Sequence, residues 1–354
     1  MARYGSVTAT TTSRWALLGS AVIVLALIVA PHFINRSLLQ DLLLIFLLVA
    51  MAQCWNLLAG YAGLISVGQQ AFVGLGGYAL FAGVITFNLD PLLSVVVATV
   101  VITALAVPVG IVVLRMHGAY FAVVTWVVAE VFRLLLAQWK ALGGGTGTSL
   151  PGAAMNRVVG IEWVAAIFGV RAAAAREILV YWIALAAMVA IIAAIYWLLR
   201  SRLGLALAAV RDGEVAAESV GIDIWRNKLL AYTIAACGTA IAGALYFIDS
   251  GRISPDAAFS VLDWTAYVIF IVVIGGLGTI EGPIVGTIIF VVLRSTLSSY
   301  GPWYLILLGA LGIAVMLIAP KGIWGTFSAA TGIHLFPTRR RLEPLSPPVP
   351  TPEA

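Results

Sequence analysis

Charged residues are scarce in this sequence: Asp, Glu, Lys and Arg make up 10% of its 354 residues, whereas hydrophobic residues make up 62%. A soluble domain carries about a quarter charged residues, because its surface must meet water. A chain with so few charges does not cover a water-facing surface, so we expect lipid to be its main solvent. Long apolar runs recur along the chain and favour one membrane domain over several soluble domains.

Cysteine and histidine are also rare. The two cysteines, Cys54 and Cys237, each lie inside an apolar run, and His32, His117 and His334 are isolated from them and from each other. This spacing excludes a disulfide framework and a structural zinc site.

Motifs for catalysis and nucleotide binding are absent as well. There is no G-x-x-x-x-G-K-[ST] phosphate loop, since the glycine run at 143–147 is not followed by Lys. No H-E-x-x-H or G-x-S-x-G motif occurs, so protease and esterase activity have no residues to support them. The formal charge of +5 is spread over loops without a basic stripe, which gives no support for nucleic-acid binding. We expect a transporter that performs no chemistry and, if ATP powers it, uses ATP bound by another chain.

The apolar runs predict an all-α polytopic transmembrane bundle. A helix needs roughly 20 mostly apolar residues to cross the hydrocarbon core. On this rule about ten spans are predicted, at 15–34, 38–59, 70–88, 92–114, 118–138, 178–199, 229–248, 264–281, 283–300 and 303–319.

The distribution of Arg and Lys predicts that both termini lie in the cytoplasm. Residues 1–14 are then a cytoplasmic segment and 15–320 are the transmembrane domain. Residues 321–354 form a basic, Pro-rich cytoplasmic tail, expected to be disordered and to touch anionic headgroups through Arg339, Arg340 and Arg341.

Two loops are predicted to lie outside the membrane. The outer loop 139–177 opens with a flexible glycine-rich stretch and holds a candidate interfacial helix around Trp163. In the cytoplasmic loop 200–228, apolar residues recur near helical spacing, and Asp212-Gly213 interrupts them. The pattern predicts two short amphipathic helices that dock a soluble partner, although a solvated connector remains the alternative.

Glycines cluster in two places where helices pack closely or break. The positions concerned are Gly63, Gly68, Gly74, Gly278, Gly282 and Gly286. The spacing 278/282/286 predicts a close-packed seam on one helical face. A broken helix at the proline that follows Gly282 is the alternative.

Polar side chains near the first glycine cluster are candidates for a substrate path. Ser66, Gln69 and Gln70 suit an amino-acid-like substrate, and helix packing without a ligand is the alternative. Glu130 and Arg133, at i and i+3, are expected to pair near the outer membrane face. The full set of path candidates is Ser66, Gln69, Gln70, Tyr78, Tyr120 and Thr125, of which Tyr120 is equally an interface anchor.

Four ordered motifs resemble the permease subunits of branched-chain amino-acid ABC importers, the LivM and LivH type, and the LivM branch in particular. They are Gly63-Leu-Ile-Ser-Val-Gly68 with Gly74-x-Gly-Gly-Tyr78, Gly118-Ala-Tyr120-Phe121-Ala-Val-Val-Thr125, Ser201-Arg-Leu-Gly204 through Gly221-Ile222, and Gly276-Leu-Gly278-Thr-x-x-Gly282-Pro283-x-x-Gly286. The resemblance spans residues 40–325.

The resemblance implies alternating access in the bacterial inner membrane. It implies a second, LivH-like permease, two cytoplasmic ATPases that bind the ATP, and an extracytoplasmic substrate-binding protein. Arg211, Glu214, Ala217 and Gly221 would couple the loop to the ATPases. Similar importers for urea, amides or aromatic compounds share these motifs, so they remain alternatives.

A stand-alone carrier driven by an ion gradient is the other alternative. It needs ionisable groups near mid-membrane. The candidates, Asp41, Glu130, Arg133, Glu281 and Arg294, are predicted to lie toward the ends of spans.

Overall fold

The computed structural model describes residues 4–7, 11–155, 157–297, 300–301, 303–332, 335–336 and 341–344, which are mostly helical. The helices are α1 (Thr11–Val29), α2 (Arg36–Asn56), α3 (Gln69–Thr86), α4 (Pro91–Val113), α5 (Ala119–Ala137), α6 (Gly152–Met155), α7 (Ile161–Phe168), α8 (Ala172–Arg200), α9 (Arg202–Asp212), α10 (Glu214–Ser219), α11 (Ile224–Ser250), α12 (Pro255–Ala258), α13 (Tyr267–Gly275), α14 (Glu281–Leu297), α15 (Trp303–Ile318) and α16 (Gly322–Thr331). The strands are β1 (Tyr4–Val7), β2 (Thr148–Ser149), β3 (Arg252–Ile253) and β4 (Arg341–Pro344). Antiparallel pairing joins β1 to β4 and β2 to β3.

Short polar side chains fix where several long helices begin. The Asn35 Oδ1 atom accepts a hydrogen bond of 2.9 Å from the Leu38 amide at the start of α2. Asp90 caps α4 through the Leu92 amide at 2.8 Å, and Pro91 occupies the first turn. These side chains satisfy amides that lack helical partners, and proline loses nothing at a first turn.

Helix α2 is the centre of the bundle. Together with its continuation to Tyr61 it has 83% of its apolar window buried, whereas the window in Trp303–Thr331 is only 11% buried. Helices α8, α11, α13 and α14 pack around α2, and α3 and α4 pack against α11. The poorly buried helices therefore leave apolar faces available to lipid.

The α3–α11 interface brings two backbones into direct contact through reciprocal glycines. A methyl group at Gly76 would lie 2.4 Å from the Ala240 carbonyl oxygen, and one at Gly243 would lie 2.4 Å from the Val73 carbonyl oxygen. Small residues at such positions allow membrane helices to approach closely, so packing holds this pair together.

Each of the ten predicted spans overlaps a helix. Seven helical segments of the described chain are long and apolar enough to cross a membrane, which makes the chain a helical membrane bundle. They are Arg36–Tyr61, Pro91–Val113, Ala119–Ala137, Ala172–Arg200, Ile224–Ser250, Pro255–Gly275 and Trp303–Thr331. The count of ten and the inward orientation of both termini stay predictions.

Two helices start earlier than their apolar stretches. Helix α8 begins at Ala172 and α11 at Ile224, ahead of the predicted residues 178 and 229. Each extension contains a charged residue, at which the apolar run is interrupted, and each charge has a partner: Glu177 pairs with Arg36, and Lys228 pairs with Glu214.

Both loops that are predicted to lie outside the membrane contain short helices. Helix α7 lies in loop 139–177 and includes Trp163, and the prediction of a helix there is confirmed. Loop 200–228 forms α9 and α10, which are separated at Gly213 as predicted. The segment expected as a disordered tail instead opens with helix α16, and Arg341 lies in β4. Arg339 and Arg340 fall outside the described residues.

Candidate functional site

The chain between α2 and α3 leaves helical geometry while most of its residues stay buried or half-buried in the bundle. A π-helical turn at Leu57–Tyr61 ends α2, and the irregular stretch from 62 to 68 follows it. The Trp55 indole donates to the Ser66 carbonyl at 2.8 Å, and the Val67 amide donates to the Thr125 hydroxyl at 3.1 Å. Non-helical backbone survives at membrane depth only where protein or water satisfies it, and here side chains do so.

Gln69 and Gln70 begin α3 and are both buried. The Gln69 side-chain amide donates to the Met51 carbonyl at 3.1 Å and to the Thr239 hydroxyl at 2.8 Å. The Gln70 side-chain oxygen accepts a hydrogen bond from the Thr265 hydroxyl. The two residues therefore connect α3 to α2, to α11 and to the helical turn before α13.

The path candidates divide into three groups in space. Ser66, Gln69, Gln70 and Thr125 surround the irregular stretch, and their polar groups bond to other parts of the chain. Tyr78 lies further along α3, fully buried, and its hydroxyl has no hydrogen-bond partner among the described residues.

Tyr120 is separate from both other groups. It stands 75% exposed at the start of α5. This position agrees with the interface-anchor alternative, because tyrosine is enriched at membrane–water interfaces.

The first glycine cluster is shaped by close contacts. A methyl group at Gly68 would lie 2.3 Å from the Thr125 carbonyl oxygen, and one at Gly74 would lie 2.5 Å from the Phe259 ring. Gly63 has φ +70°, a conformation that favours glycine. These positions combine helix packing with a break in the helix.

The second glycine cluster differs from the predicted helical seam. Gly278 is not helical: it has φ +75° and belongs to the linker between α13 and α14. Gly282 and Gly286 lie in α14, where added methyl groups would come within 2.2 Å of the Gly276 carbonyl oxygen and 1.9 Å of the Ile271 carbonyl oxygen. The close packing is present, but at 278 the chain turns instead of continuing a helix.

Helices α9 and α10 with the residue that follows them, hereafter the cytoplasmic knob (202–220) after the side on which the sequence predicts it to lie, are anchored from several sides. Leu207, Val210 and Ala217 are buried against the bundle. The Lys228 ammonium, at the start of α11, binds the Glu214 carboxylate at 2.6 Å, with side chains that are 10% and 42% exposed. These contacts fix the position of the knob on the membrane domain.

The outward face of the knob mixes apolar and charged side chains. Val215 and Val220 are 80% and 75% exposed, and Glu218 beside them is also exposed. Gly221 follows with φ +84° and directs the chain back toward α11. Two of the four residues implied to couple, Glu214 and Ala217, hold the knob in place. The exposed valines, which are not among the four, form the surface that a partner could cover.

A three-residue ion cluster lies at the C-terminal half of α5. The predicted pair of Glu130 and Arg133 is confirmed, with Nη2 of Arg133 2.5 Å from the carboxylate. Arg133 also binds Asp256 of α12 at 2.7 Å, a partner that the sequence did not indicate. Within the described ranges no three His, Cys, Asp or Glu side chains lie close enough to hold a metal ion.

Buried polar residues that sequence reasoning missed connect α2 to the α13–α14 linker. The Asn56 side chain accepts from the Gly278 amide and donates to the Thr279 carbonyl, both at 2.8 Å. Gln53, one turn earlier, donates to the Ile280 carbonyl at 2.6 Å. Their signal in the sequence is the presence of two amides in the otherwise apolar stretch 42–58, since such residues face the protein interior.

Comparison with known proteins supplies the remaining evidence. The sequence profile of the family described as "Branched-chain amino acid transport system / permease component" matches residues 37–319. The chain is 30% identical over 314 residues to the "High-affinity branched-chain amino acid transport system permease protein LivM" of Escherichia coli K12, covering 86% of this chain and 73% of that protein. It is 29% identical over 304 residues to the protein of the same name from Salmonella typhimurium LT2, covering 83% and 71%.

A shorter match joins the chain to the "Probable branched-chain amino acid transport permease protein LivM" of Methanocaldococcus jannaschii, with 31% identity over 103 residues. That match covers 29% of this chain and 30% of the archaeal protein. No solved structure matches the chain.

Proposed function

The chain belongs to the permease components of branched-chain amino acid transport systems, and from this premise we propose that it is a membrane-spanning subunit of an ABC importer for branched-chain or similar hydrophobic amino acids. It is a multi-pass protein of the bacterial inner membrane and a transporter component. ATP is bound by separate chains, since this sequence has no phosphate loop.

The cytoplasmic knob is the observation that carries this proposal. It presents exposed Val215 and Val220 on a support that buried Ala217 and the ion pair of Glu214 and Lys228 hold in place. An anchored projection that exposes apolar side chains fits a groove on a soluble protein, and an ATPase that docks there can push on the membrane domain. A gradient-driven carrier has no need of such a projection.

The complete importer then contains two permeases, this chain and a related LivH-like subunit. Two ATPases dock on the cytoplasmic side, and a substrate-binding protein delivers the amino acid from the other side. The proposal includes ten spans with both termini inside, which places loop 200–228, rich in Arg and Lys, on the cytoplasmic side.

The substrate is proposed to pass near the polar residues around the irregular stretch. Further along α3, Tyr78 is the best supported path residue, because its buried hydroxyl has no hydrogen-bond partner among the residues described. Burying a hydroxyl without a partner costs free energy, and a substrate amine or carboxylate would supply one. The shape of the path would be fixed by hydrogen bonds within the protein, made by Ser66, Gln69, Gln70 and Thr125.

Co-purification tests the proposal. The tagged chain is extracted from native membranes in mild detergent, and its partners are identified by mass spectrometry. We expect two P-loop ATPases and a second, related permease, and we expect leucine uptake by the reconstituted complex to require ATP. Recovery of the chain alone, with uptake driven by an ion gradient, would overturn the proposal in favour of a stand-alone carrier.

Paired substitutions assign the docking surface. Val215→Asp with Val220→Asp places two charges on the outward face of the knob, so we expect the ATPases to be lost while the second permease is retained. Val159→Asp is the matched control, because Val159 is 70% exposed in the outer loop. Retention of the ATPases by the double variant would contradict docking at the knob.

A further inference from the structure

Arg211 extends from the cytoplasmic knob to the end of α2. Its Nη1 atom donates to the Gly60 carbonyl at 3.0 Å, while Nε and Nη2 bind Asp212 Oδ1 at 3.0 and 2.9 Å. The planar guanidinium is therefore oriented by hydrogen bonds from two directions, which a lysine ammonium does not reproduce.

The Gly60 carbonyl is available because the helix ends there in a π turn. The Ala62 amide bonds to the Leu57 and Leu58 carbonyls, and the Leu64 amide also bonds to Leu58, after which the chain leaves the helix. The last carbonyls of a helix lack helical partners, and π turns occur often at functional sites. Arg211 supplies one of the missing donors.

The same turn touches the linker between α13 and α14. A methyl group at Gly60 would lie 2.6 Å from the Gly278 nitrogen. Asn56, one turn earlier in α2, holds the Gly278 amide and the Thr279 carbonyl, each at 2.8 Å. Residues 56 and 60 are four apart and share one helical face, so both meet the linker.

The linker has the geometry of a pivot. Gly276 and Gly278 have φ +135° and +75°, conformations that other residues rarely adopt. Helices α13 and α14 fold back on each other directly before and after this point and pack together closely. A small displacement at the linker would change the angle between two membrane helices.

We propose that Arg211, the Gly60 carbonyl and Asn56 form a relay that carries movement of the cytoplasmic knob to the α13–α14 linker. The inference rests on the proposed function, because it requires an ATPase that moves the knob. Arg211 and Asn56 act as positioning residues: the knob moves Gly60 through Arg211, and α2 moves Gly278 and Thr279 through Asn56. The coupling therefore passes through two hydrogen-bonded steps and bypasses the lipid-facing helices.

The test measures how many leucine molecules enter proteoliposomes for each ATP hydrolysed by the complete importer. Asn56→Leu removes both bonds to the linker, and Arg211→Ala removes the bond to Gly60. In each variant we expect the ATPases to remain bound and ATP hydrolysis to continue, while leucine transported per ATP falls about tenfold, within the usual range of coupling between sites. Arg211→Lys should restore part of the ratio, since it keeps one donor but loses the planar fork.

A matched control and a double variant sharpen the test. Arg202→Ala removes an exposed arginine at the other end of α9 and should leave the ratio unchanged. The Arg211→Ala, Asn56→Leu variant should lose no more than the worse single variant, because both residues serve one route. Fully additive losses, or an unchanged ratio in Arg211→Ala, would overturn the relay.

The outcomes separate this inference from the proposed function. If the native complex hydrolyses ATP without moving leucine, or contains no ATPase, the proposed function fails. If the native complex transports leucine and the Asn56→Leu complex does so with the native ratio, the proposed function stands and the relay fails. Each variant must elute as an intact complex on size exclusion before its ratio of leucine to ATP is measured. If the Asn56→Leu complex does not assemble, Asn56→Asp, which keeps an acceptor for the Gly278 amide, replaces it.

Discussion

Replacing Gly286 by alanine should separate α13 from α14. The new methyl group would lie 1.9 Å from the Ile271 carbonyl oxygen and 3.1 Å from the Gly275 Cα atom. Both neighbours are backbone atoms, so no change of side-chain rotamer relieves the overlap. An ordinary carbon–oxygen contact is more than 1 Å longer, and the helices must move apart by roughly that amount.

The cost follows from the packing that is lost. Widening a van der Waals contact by about 0.5–1 Å forfeits roughly a quarter to a half of its attraction. Overpacked sites typically cost about 1–3 kcal/mol and occasionally more. Because Gly275 and Gly282 also meet at this seam, we expect Gly286→Ala to lower the free energy of unfolding by about 2–4 kcal/mol. For a chain of this length, this corresponds to a fall of roughly 3–5 °C in melting temperature.

Thermal unfolding in detergent, followed by size exclusion of a fluorescently tagged chain, measures this change. Gly309→Ala is the matched control, because Gly309 lies in helix α15 with no atom within 4 Å of an added methyl group. It should be neutral or stabilise by up to about 1 kcal/mol, since alanine favours helix more than glycine. Equal melting temperatures for the two variants would refute the reasoning from backbone contact.

Two further predictions concern buried polar contacts and use the same assay. Gln69→Leu and Thr239→Val should each lower the free energy of unfolding by about 1–2 kcal/mol. The double variant should lose less than the sum of the two, because the two side chains share one hydrogen bond. Strictly additive losses would contradict that bond. Glu214→Gln should cost about 1–2 kcal/mol and Lys228→Met less, because the ammonium is 10% exposed and the carboxylate 42%. A larger loss of stability in Lys228→Met than in Glu214→Gln would show that the cost does not come from leaving the buried ammonium without a partner.

Much of the fold is predictable from the sequence because apolar length alone specifies a membrane helix. Each predicted span meets a helix, and the break in the cytoplasmic loop is found at Gly213, where glycine follows a charged residue. The starts of α8 and α11 were placed too late because Glu177 and Lys228 are charged. Their partners, Arg36 and Glu214, are distant in sequence or on another helix, so hydropathy does not reveal the pairing.

The candidate site is less predictable, because a polar residue in a span has the same sequence signal whether it faces a substrate or another helix. Gln69 and Gln70 bond to Thr239 and Thr265, which are 170 and 195 residues away in the chain. Asn56 was overlooked because its partners are more than 220 residues away in the chain, and only the fold brings it to the α13–α14 linker. Whether these residues also contact a substrate stays a prediction.

The reciprocal contact of Gly76 with Ala240 and of Gly243 with Val73 has a mechanical consequence. Two helices in direct backbone contact at two points cannot slide past each other without first separating, so we expect α3 and α11 to move as a single rigid unit. During a transport cycle the distance between labels on these two helices should stay constant, while distances from either helix to α14 change. Distances measured from this rigid pair of helices to labels on other helices then report which parts of the transporter move.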